Sequence, residues 1–322
     1  REENEASSAR TVATTLGLKH EILVCDPGRA WDRYVQIVPH LTLLTGDFAF
    51  LSYVDILSEL RGGGVDGVID GLGSDVYFGT PISRQSRLLA SVARAIPLPK
   101  RWAELPLLRD SFALCYATST LGMSEVERFF PGSRFSPSDA DEILGSQHSR
   151  ASRKRISMYG PAFESERSLS IRRAYAVLLS EAGGAFAKGQ YAASALDMLV
   201  AYPFCDRALA SWVSRELPPE LCVDVRNGMN KVIVRKHIAD RFGDLPYVKD
   251  KGSFRFDVKG LAAARFDEIR QMAAEIAEVL PGAIAWLDRN RPYFDNKFHA
   301  SRFYLLAVLI PWLRVHAPLF SD

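Results

Sequence analysis

The sequence predicts an α/β fold, a parallel sheet with flanking helices, followed by a mostly helical C-terminal portion. Three observations predict it. Helix-like and strand-like segments alternate with short links in the first quarter of the chain, the pattern of a mainly parallel sheet covered by helices. The apolar run VDGVID, Val65 to Asp70, ends in Gly71-Leu72-Gly73-Ser74-Asp75, a turn of the kind found at the carboxyl ends of parallel strands. Strand signals fade after about residue 82. The expected division is an α/β portion over residues 1–95, incomplete at its N-terminus, and a mainly helical remainder over 96–322.

The elements follow in order. ENEASSARTVATTLG puts Ala6, Ala9, Ala13 and Leu16 on one helical face, with Gly17 as its stop. HEILVC, His20 to Cys25, reads as a short buried strand and Asp26-Pro27-Gly28 as a turn. Trp31 to Leu44 and Phe50 to Arg61 read as helices, and Gly62-Gly63-Gly64 breaks the chain before VDGVID. The Pro-punctuated AIPLPKRWAELPLLRD, Ala95 to Asp110, is a connection, and mostly helices follow from Ser111. In AYPFCDRALASWVSRELPPEL, Pro203 sits in an extended turn and Asp206 at a helix N-cap. Leu209, Trp212, Val213 and Leu217 then recur at the spacing of a buried helix. Two basic stretches, Ser149 to Ser157 and Arg167 to Tyr175, read as a solvated helix face or mobile loop. The other reading of them is a contact with a polyanionic partner.

The totals exclude several classes. A chain of 322 residues with 48% apolar and 24% charged residues is an ordinary soluble globular composition. A net charge of +2 gives no basic footprint, so no nucleic-acid partner is expected. The longest apolar run, Tyr304 to Leu313, is too short to span a bilayer and contains Pro311, so no membrane is expected. Four scattered cysteines form no CxxC pair, which fits reduced thiols in a cytoplasmic protein. The chain starts Arg-Glu-Glu-Asn-Glu without an initiator Met and already reads as helix, as a fragment would.

The chemistry concentrates at the glycine turn. Gly71 and Gly73 allow a tight turn and close approach of a ligand. Successive N–H groups in such a turn form a concavity for phosphate, and a following helix N-terminus adds positive charge. Asp75 is a hard oxygen ligand at the same place, and Mg²⁺ travels with nucleotide phosphates. The competing reading is structural, with Ser74 or Asp75 merely capping the next helix. Downstream, NGMNKVIVRKHIADRF carries Lys231 and Arg235 four residues apart on one face. The loop YVKDKGSFRF carries Lys249 and Lys251 beside Gly252; such lysines are usually solvated, and the alternative is a point cation reaching phosphates.

Together these pieces resemble the synthetase domain of the asparagine synthetase family, the ATP-pyrophosphatase type of amide-forming ligase. Its loop S-G-x-G-x-D-E-x-F-x-G is matched by DGLGSDVYFG, Asp70 to Gly79. Its E-x-R-x-P-F-L-D block is matched by LVAYPFCD, Leu199 to Asp206. Its G-K-x-x-L-R helix is matched by NKVIVR, Asn230 to Arg235, and its R-x-K-x-G-F-like loop by KDKGSF, Lys249 to Phe254. The N-terminal helix and LGLKHEILV are similar to the family segment just after its second strand. The resemblance implies an adenine nucleotide α-hydrolase-like fold. It implies adenylation of a small-molecule or peptide carboxylate by ATP with release of pyrophosphate, then attack by ammonia or an amine. It implies ATP and Mg²⁺ as cofactors. Asp75 would hold the metal, and Lys251 would neutralise charge on the pyrophosphate and the attacked centre. Asp70, Gly71, Leu72, Gly73, Ser74, Lys231 and Arg235 would line the nucleotide and acyl-adenylate site.

The departures are informative. The family's S-G-G-x-D-S pyrophosphate loop is absent from this sequence and would lie upstream, as would any glutaminase domain donating ammonia. The loop serine is Asp70, and the Glu after the loop Asp is Val76. Leu72 stands where asparagine-forming members have a carboxylate, and Leu199 and Ala201 replace the Glu and Arg of the second block. A leucine cannot act as a base or hold an amine. The resemblance therefore extends equally to relatives that close lasso-peptide or β-lactam rings or amidate sugar acids; a degenerate, non-catalytic scaffold is a further alternative, favoured by Leu72, Leu199 and Ala201 and opposed by the retained Asp75 and Lys251.

Overall fold

The structure, a computed structural model, describes residues 6–78, 108–123, 135–158, 160–161, 184–224, 227–243, 245 and 256–320. The expected boundary at residues 95 and 96, most of the Pro-punctuated connection, the basic stretch 167–175 and the loop carrying Lys249 and Lys251 lie outside them.

In chain order the helices are α1 (Ala6–Thr15), α2 (Pro27–Ile37), α3 (Phe50–Gly62), α4 (Ser74–Tyr77), α5 (Phe112–Leu121), α6 (Pro137–Leu144) and α7 (Ser149–Ser157). They continue with α8 (Ala185–Ala195), α9 (Arg207–Arg215), α10 (Pro219–Cys222), α11 (Val232–Phe242), α12 (Val258–Glu275), α13 (Ala283–Asn290) and α14 (Lys297–His316). The strands are β1 (Gly67–Ile69), β2 (Leu199–Ala201), β3 (Val223–Asp224) and β4 (Met229–Asn230). The chain is mostly helical, with a small parallel sheet.

That sheet corrects the expectation of a larger one. Among the described residues β1 pairs only with β2, in parallel, with Val68 opposite Val200. β3 and β4 form a separate antiparallel pair. His20 to Cys25 is not a strand: it carries no ladder among the described residues, and Ile22, Leu23 and Val24 are exposed. Apolar character alone does not make a strand, because its backbone groups need a partner chain. The one tie shown for its backbone comes from a side chain, with Arg29 Nη2 donating to the Val24 carbonyl at 2.7 Å.

Caps explain where the helices begin. Asp26 accepts from the Arg29 N–H at 2.7 Å and Pro27 takes the first helical position, so α2 starts at the expected turn rather than at Trp31. It ends at Ile37 in a 3₁₀ turn, Val38–His40, well before Leu44. Val38 is still in the helical region, but Pro39 has no N–H to donate to the Val35 carbonyl, so the α-helical ladder stops there. α1 stops at Gly17, whose φ of +65° lets the Leu18 N–H reach the Ala13 carbonyl. Its inner face differs from expectation at Ala9, which is exposed.

The core joins the start of the chain to its end. Trp31 and Tyr34 of α2, Phe50 and Leu51 of α3, Leu261 and Ile269 of α12, Trp286 of α13, and Phe303 and Tyr304 of α14 are fully buried in one cluster. Pro311 sits inside α14. It has no N–H, so the carbonyl of Ala307 lacks its helical partner. Trp31 Nε1 supplies it at 3.0 Å, which explains how a buried helix keeps its proline. Among the described residues no helix is long and apolar enough to cross a membrane.

His299 of α14 is 4% exposed, its Nδ1 meets no hydrogen-bond partner among the described residues, and its Nε2 lies 3.9 Å from the Cys115 sulfur. Burial first, then the neighbouring Arg302, pushes its pKa from the usual 6.5 down to about 4; the Arg109 backbone and the Asp139 charge oppose this, and the Arg109 charge adds to it. Between those two values the unfolded chain binds a proton that the native state refuses. Stability contributed by the neutral ring is therefore complete above pH 6.5 and lost as pH falls towards 4, with no further loss below. The expected loss is about 3 kcal/mol. Denaturant unfolding of the parent and of His299→Gln across this window checks it. The parent's curve should fall more steeply, and parallel curves would refute the assignment.

Candidate functional site

The site is built at the carboxyl ends of β1 and β2. After β1 the Asp70 N–H still donates to the Ala201 carbonyl at 2.9 Å, extending the pairing by one bond. The Asp70 carboxylate then turns back on its own loop, with Oδ1 accepting from the Leu72 N–H at 2.9 Å. Its other oxygen accepts from the Tyr53 hydroxyl at 2.6 Å. Burial, and then the bond to Asp70, raises the Tyr53 pKa far above that of a free phenol, so it stays a donor.

Gly73 requires its residue type. Its φ is +97°, and a Cβ there would stand 2.6 Å from the Cys205 sulfur and 3.5 Å from the Phe186 ring. Gly71 differs: its φ is not positive, and a Cβ would meet none of the described residues within 4 Å. The loop can turn without Gly71, so the reason for a glycine there is not internal packing.

Neither Ser74 nor Asp75 caps the following helix. Gly73 is its N-cap residue and no side chain bonds to it; the Ser74 hydroxyl donates instead to the Gly71 carbonyl at 3.3 Å. The helix is only the four residues of α4. So few aligned peptides make a weak dipole, and the expected contribution of a helix N-terminus is not realised.

Asp75 is directed at a distant segment. Its Oδ1 lies 3.0 Å from Lys231 Nζ and accepts from Asn230 Nδ2 at 3.1 Å. Asn230 is itself oriented by Arg235, whose Nε donates to the Asn230 carbonyl at 2.9 Å and whose Nη2 donates to its Oδ1 at 3.1 Å. Lys231 is the N-cap of α11 and holds φ +54°, in the left-handed region. A non-glycine residue there stores strain of about 1–3 kcal/mol, and such residues cluster at functional sites. Lys231 and Arg235 are joined along the helix by the Arg235 N–H to Lys231 carbonyl bond.

A small separate core fixes this meeting. Phe78, Val213 and Leu217 are buried together, with Tyr77, Phe204, Leu209, Ile233 and Val234 packed around them. The cluster draws on α4, α9 and α11 and the 3₁₀ turn Pro203–Cys205, which replaces the extended turn expected at Pro203. Asp206 caps α9 as expected, accepting from the Ala208 and Leu209 N–H groups. The burial expected for α9 is partial, since Trp212 is 37% exposed.

A family model described as asparagine synthase matches residues 1–300. The chain belongs to the asparagine synthase family. No curated protein and no solved structure matches it significantly. The family is one of amide-forming ligases whose members use ATP. In this asparagine synthase family domain, Asp75, Lys231 and Arg235 converge, linked by Asn230. Asp70, Gly71, Leu72, Gly73 and Ser74 form the loop that leads to them, and Lys251 lies outside the described residues. Asn230, which donates to Asp75, is a candidate site residue with little mark in the sequence. Its only signal is its place beside Lys231 in the NKVIVR block. No local pattern marks Tyr53.

Proposed function

We propose that this domain is an ATP-dependent amide-forming ligase of the asparagine synthetase type. The observation that carries the reading is the Lys231–Asp75 pair, 3.0 Å apart, which joins two segments far apart in sequence at the end of a parallel strand. An acid and a cation held together beside an open glycine are suited to share the charge of a nucleotide's phosphates. In the first step a carboxylate oxygen of the substrate attacks the α-phosphorus of ATP, and the bond to pyrophosphate breaks. In the second, ammonia or an amine attacks the acyl carbon, AMP leaves with the electron pair of the carbon–oxygen bond, and the nitrogen loses a proton.

Within this reading Gly71 gives the nucleotide close access, since none of the described residues fills the space a Cβ would take. Arg235 holds the Asn230 amide so that its NH₂ faces Asp75. Lys231 balances the Asp75 carboxylate and, with Lys251, meets phosphate charge. Magnesium, when bound, would neutralise and orient the phosphates. Among the described residues no group of three or more His, Cys, Asp or Glu could cage an ion. That fits a metal held by one carboxylate, Asp75, with the phosphates as its other partners. The nucleotide α-hydrolase-like fold is part of the same reading, supported by the parallel β1–β2 pair. So is a cytoplasmic location.

A second product class is favoured by one observation. Leu199, where asparagine-forming members carry Glu, is 79% exposed at the start of β2, two residues before Ala201 at its carboxyl end, and Leu72 lies on the loop after β1. Apolar side chains there suit a less polar acid than free aspartate, as in lasso-peptide or lactam ring closure, more than a sugar acid. The preserved Asp75–Lys231–Arg235 arrangement argues against a purely scaffolding role.

Pyrophosphate release by the complete protein, given ATP, magnesium and candidate acids, tests the reading. Acid-dependent release is expected, and Asp75→Ala and Lys251→Ala should each lose it. Equal release from the parent and both variants would overturn the site assignment. No release with any acid or peptide, together with no nucleotide binding, would overturn the function.

A further inference from the structure

We propose that Tyr53 is a positioning residue for the glycine loop, acting through Asp70. The puzzle it answers is a carboxylate, in place of the family's serine, next to a site meant for phosphates. Asp70 is anchored at both oxygens, by Tyr53 on one and by the Leu72 N–H on the other, at 2.6 and 2.9 Å. Its charge is held on the α3 side of the loop, and the Leu72 backbone is pinned by the same group.

Tyr53 is in turn held from two sides. Lys188 of α8, 6% exposed, lies 5.2 Å over its ring and 3.4 Å from Asp47. Beside Lys188, Gly189 leaves room for two tyrosines. A Cβ there would overlap the Tyr202 hydroxyl and stand 3.4 Å from the Tyr53 ring. Tyr202 follows β2 directly and donates to the Phe186 carbonyl at 3.0 Å. Both strand ends are therefore seated on α8, one through Tyr53 and Asp70, the other through Tyr202.

The consequence concerns charge. Without the Tyr53 hydroxyl, Asp70 keeps only the Leu72 contact and can turn a full negative charge towards the loop's ligand side. The ligand here rests on the nucleotide reading above, whereas the pinning of Leu72 does not.

The test uses the complete protein as parent, Tyr53→Phe, and Tyr53→Phe with Asp70→Asn. Phenylalanine keeps the ring and its packing. Exchange of the Leu72 amide should be about tenfold faster in Tyr53→Phe, the effect of losing a bond to a charged group. Affinity for ATP with magnesium should fall by about tenfold or more. Adding Asp70→Asn should restore that affinity to within about threefold of the parent, because the charge is gone. Unchanged Leu72 exchange in Tyr53→Phe overturns the proposal. So does an affinity loss that Asp70→Asn fails to reverse, which is what general loosening would give. A parent that binds no ATP sinks the nucleotide reading, and Leu72 exchange alone then decides the positioning role.

Discussion

Pyrophosphate release by the Asp75→Ala protein is expected to fall by about 100-fold or more, the usual effect of removing one preorganised charged group from a reaction of this kind. The structure makes the reason specific. Asp75 is where Lys231 Nζ and Asn230 Nδ2 meet, both on Oδ1. Its removal deletes a proposed metal ligand and also releases the cation that a phosphate must find in place. Lys231→Ala should therefore be nearly as damaging, and the double variant little worse than either single one, because the two residues act as a unit. Stability should change little, since the Lys231 and Asp75 side chains are 26% and 35% exposed and such pairs contribute about 1 kcal/mol or less. Losses that multiply in the double variant would show that the pair does not act together.

Gly73→Ala is expected to cost about 4 kcal/mol of stability and to abolish nucleotide binding. Two penalties combine. The backbone must hold φ +97°, which an alanine adopts only under strain, and the new methyl would sit 2.6 Å from the Cys205 sulfur. They can be separated. Cys205→Ala in the same protein removes the sulfur and should recover the packing share, about half the loss, but not the dihedral share. Gly71→Ala is the control on the same loop. With no positive φ and open space at its Cβ, it should unfold like the parent while binding ATP more weakly. Thermal unfolding and ATP titration of the four proteins check the set. Equal stability of Gly71→Ala and Gly73→Ala would refute the distinction.

Much of this site is legible in the sequence at the level of residue types. DGLGSD names the loop, and NKVIVR names the helix that faces it. The family match over residues 1–300 agrees with the blocks that suggested it. Helices with strong caps are legible too: Asp206 and Gly17 act where their residue types predict. What misleads is HEILVC. Its composition suits a strand, yet a strand is a statement about two segments, and among the described residues nothing pairs with it. α4 misleads in the other direction. The loop glycines suggested a helix long enough to present a dipole, whereas a single turn follows them.

The amino-acid sequence by itself determined the family and the helical character of most of the chain, and it named the acid and the cations of the proposed chemistry. These are encoded within short windows, where side-chain periodicity, caps and glycines act on their own backbone. The tertiary structure alone decided that β1 pairs with β2, that Lys231 rather than a cap receives Asp75, and that Tyr53 holds Asp70. Each joins residues from different elements, the first two well over a hundred positions apart. Their meeting is set by how helices bury their apolar faces against one another, a sum over the whole core that no local pattern contains.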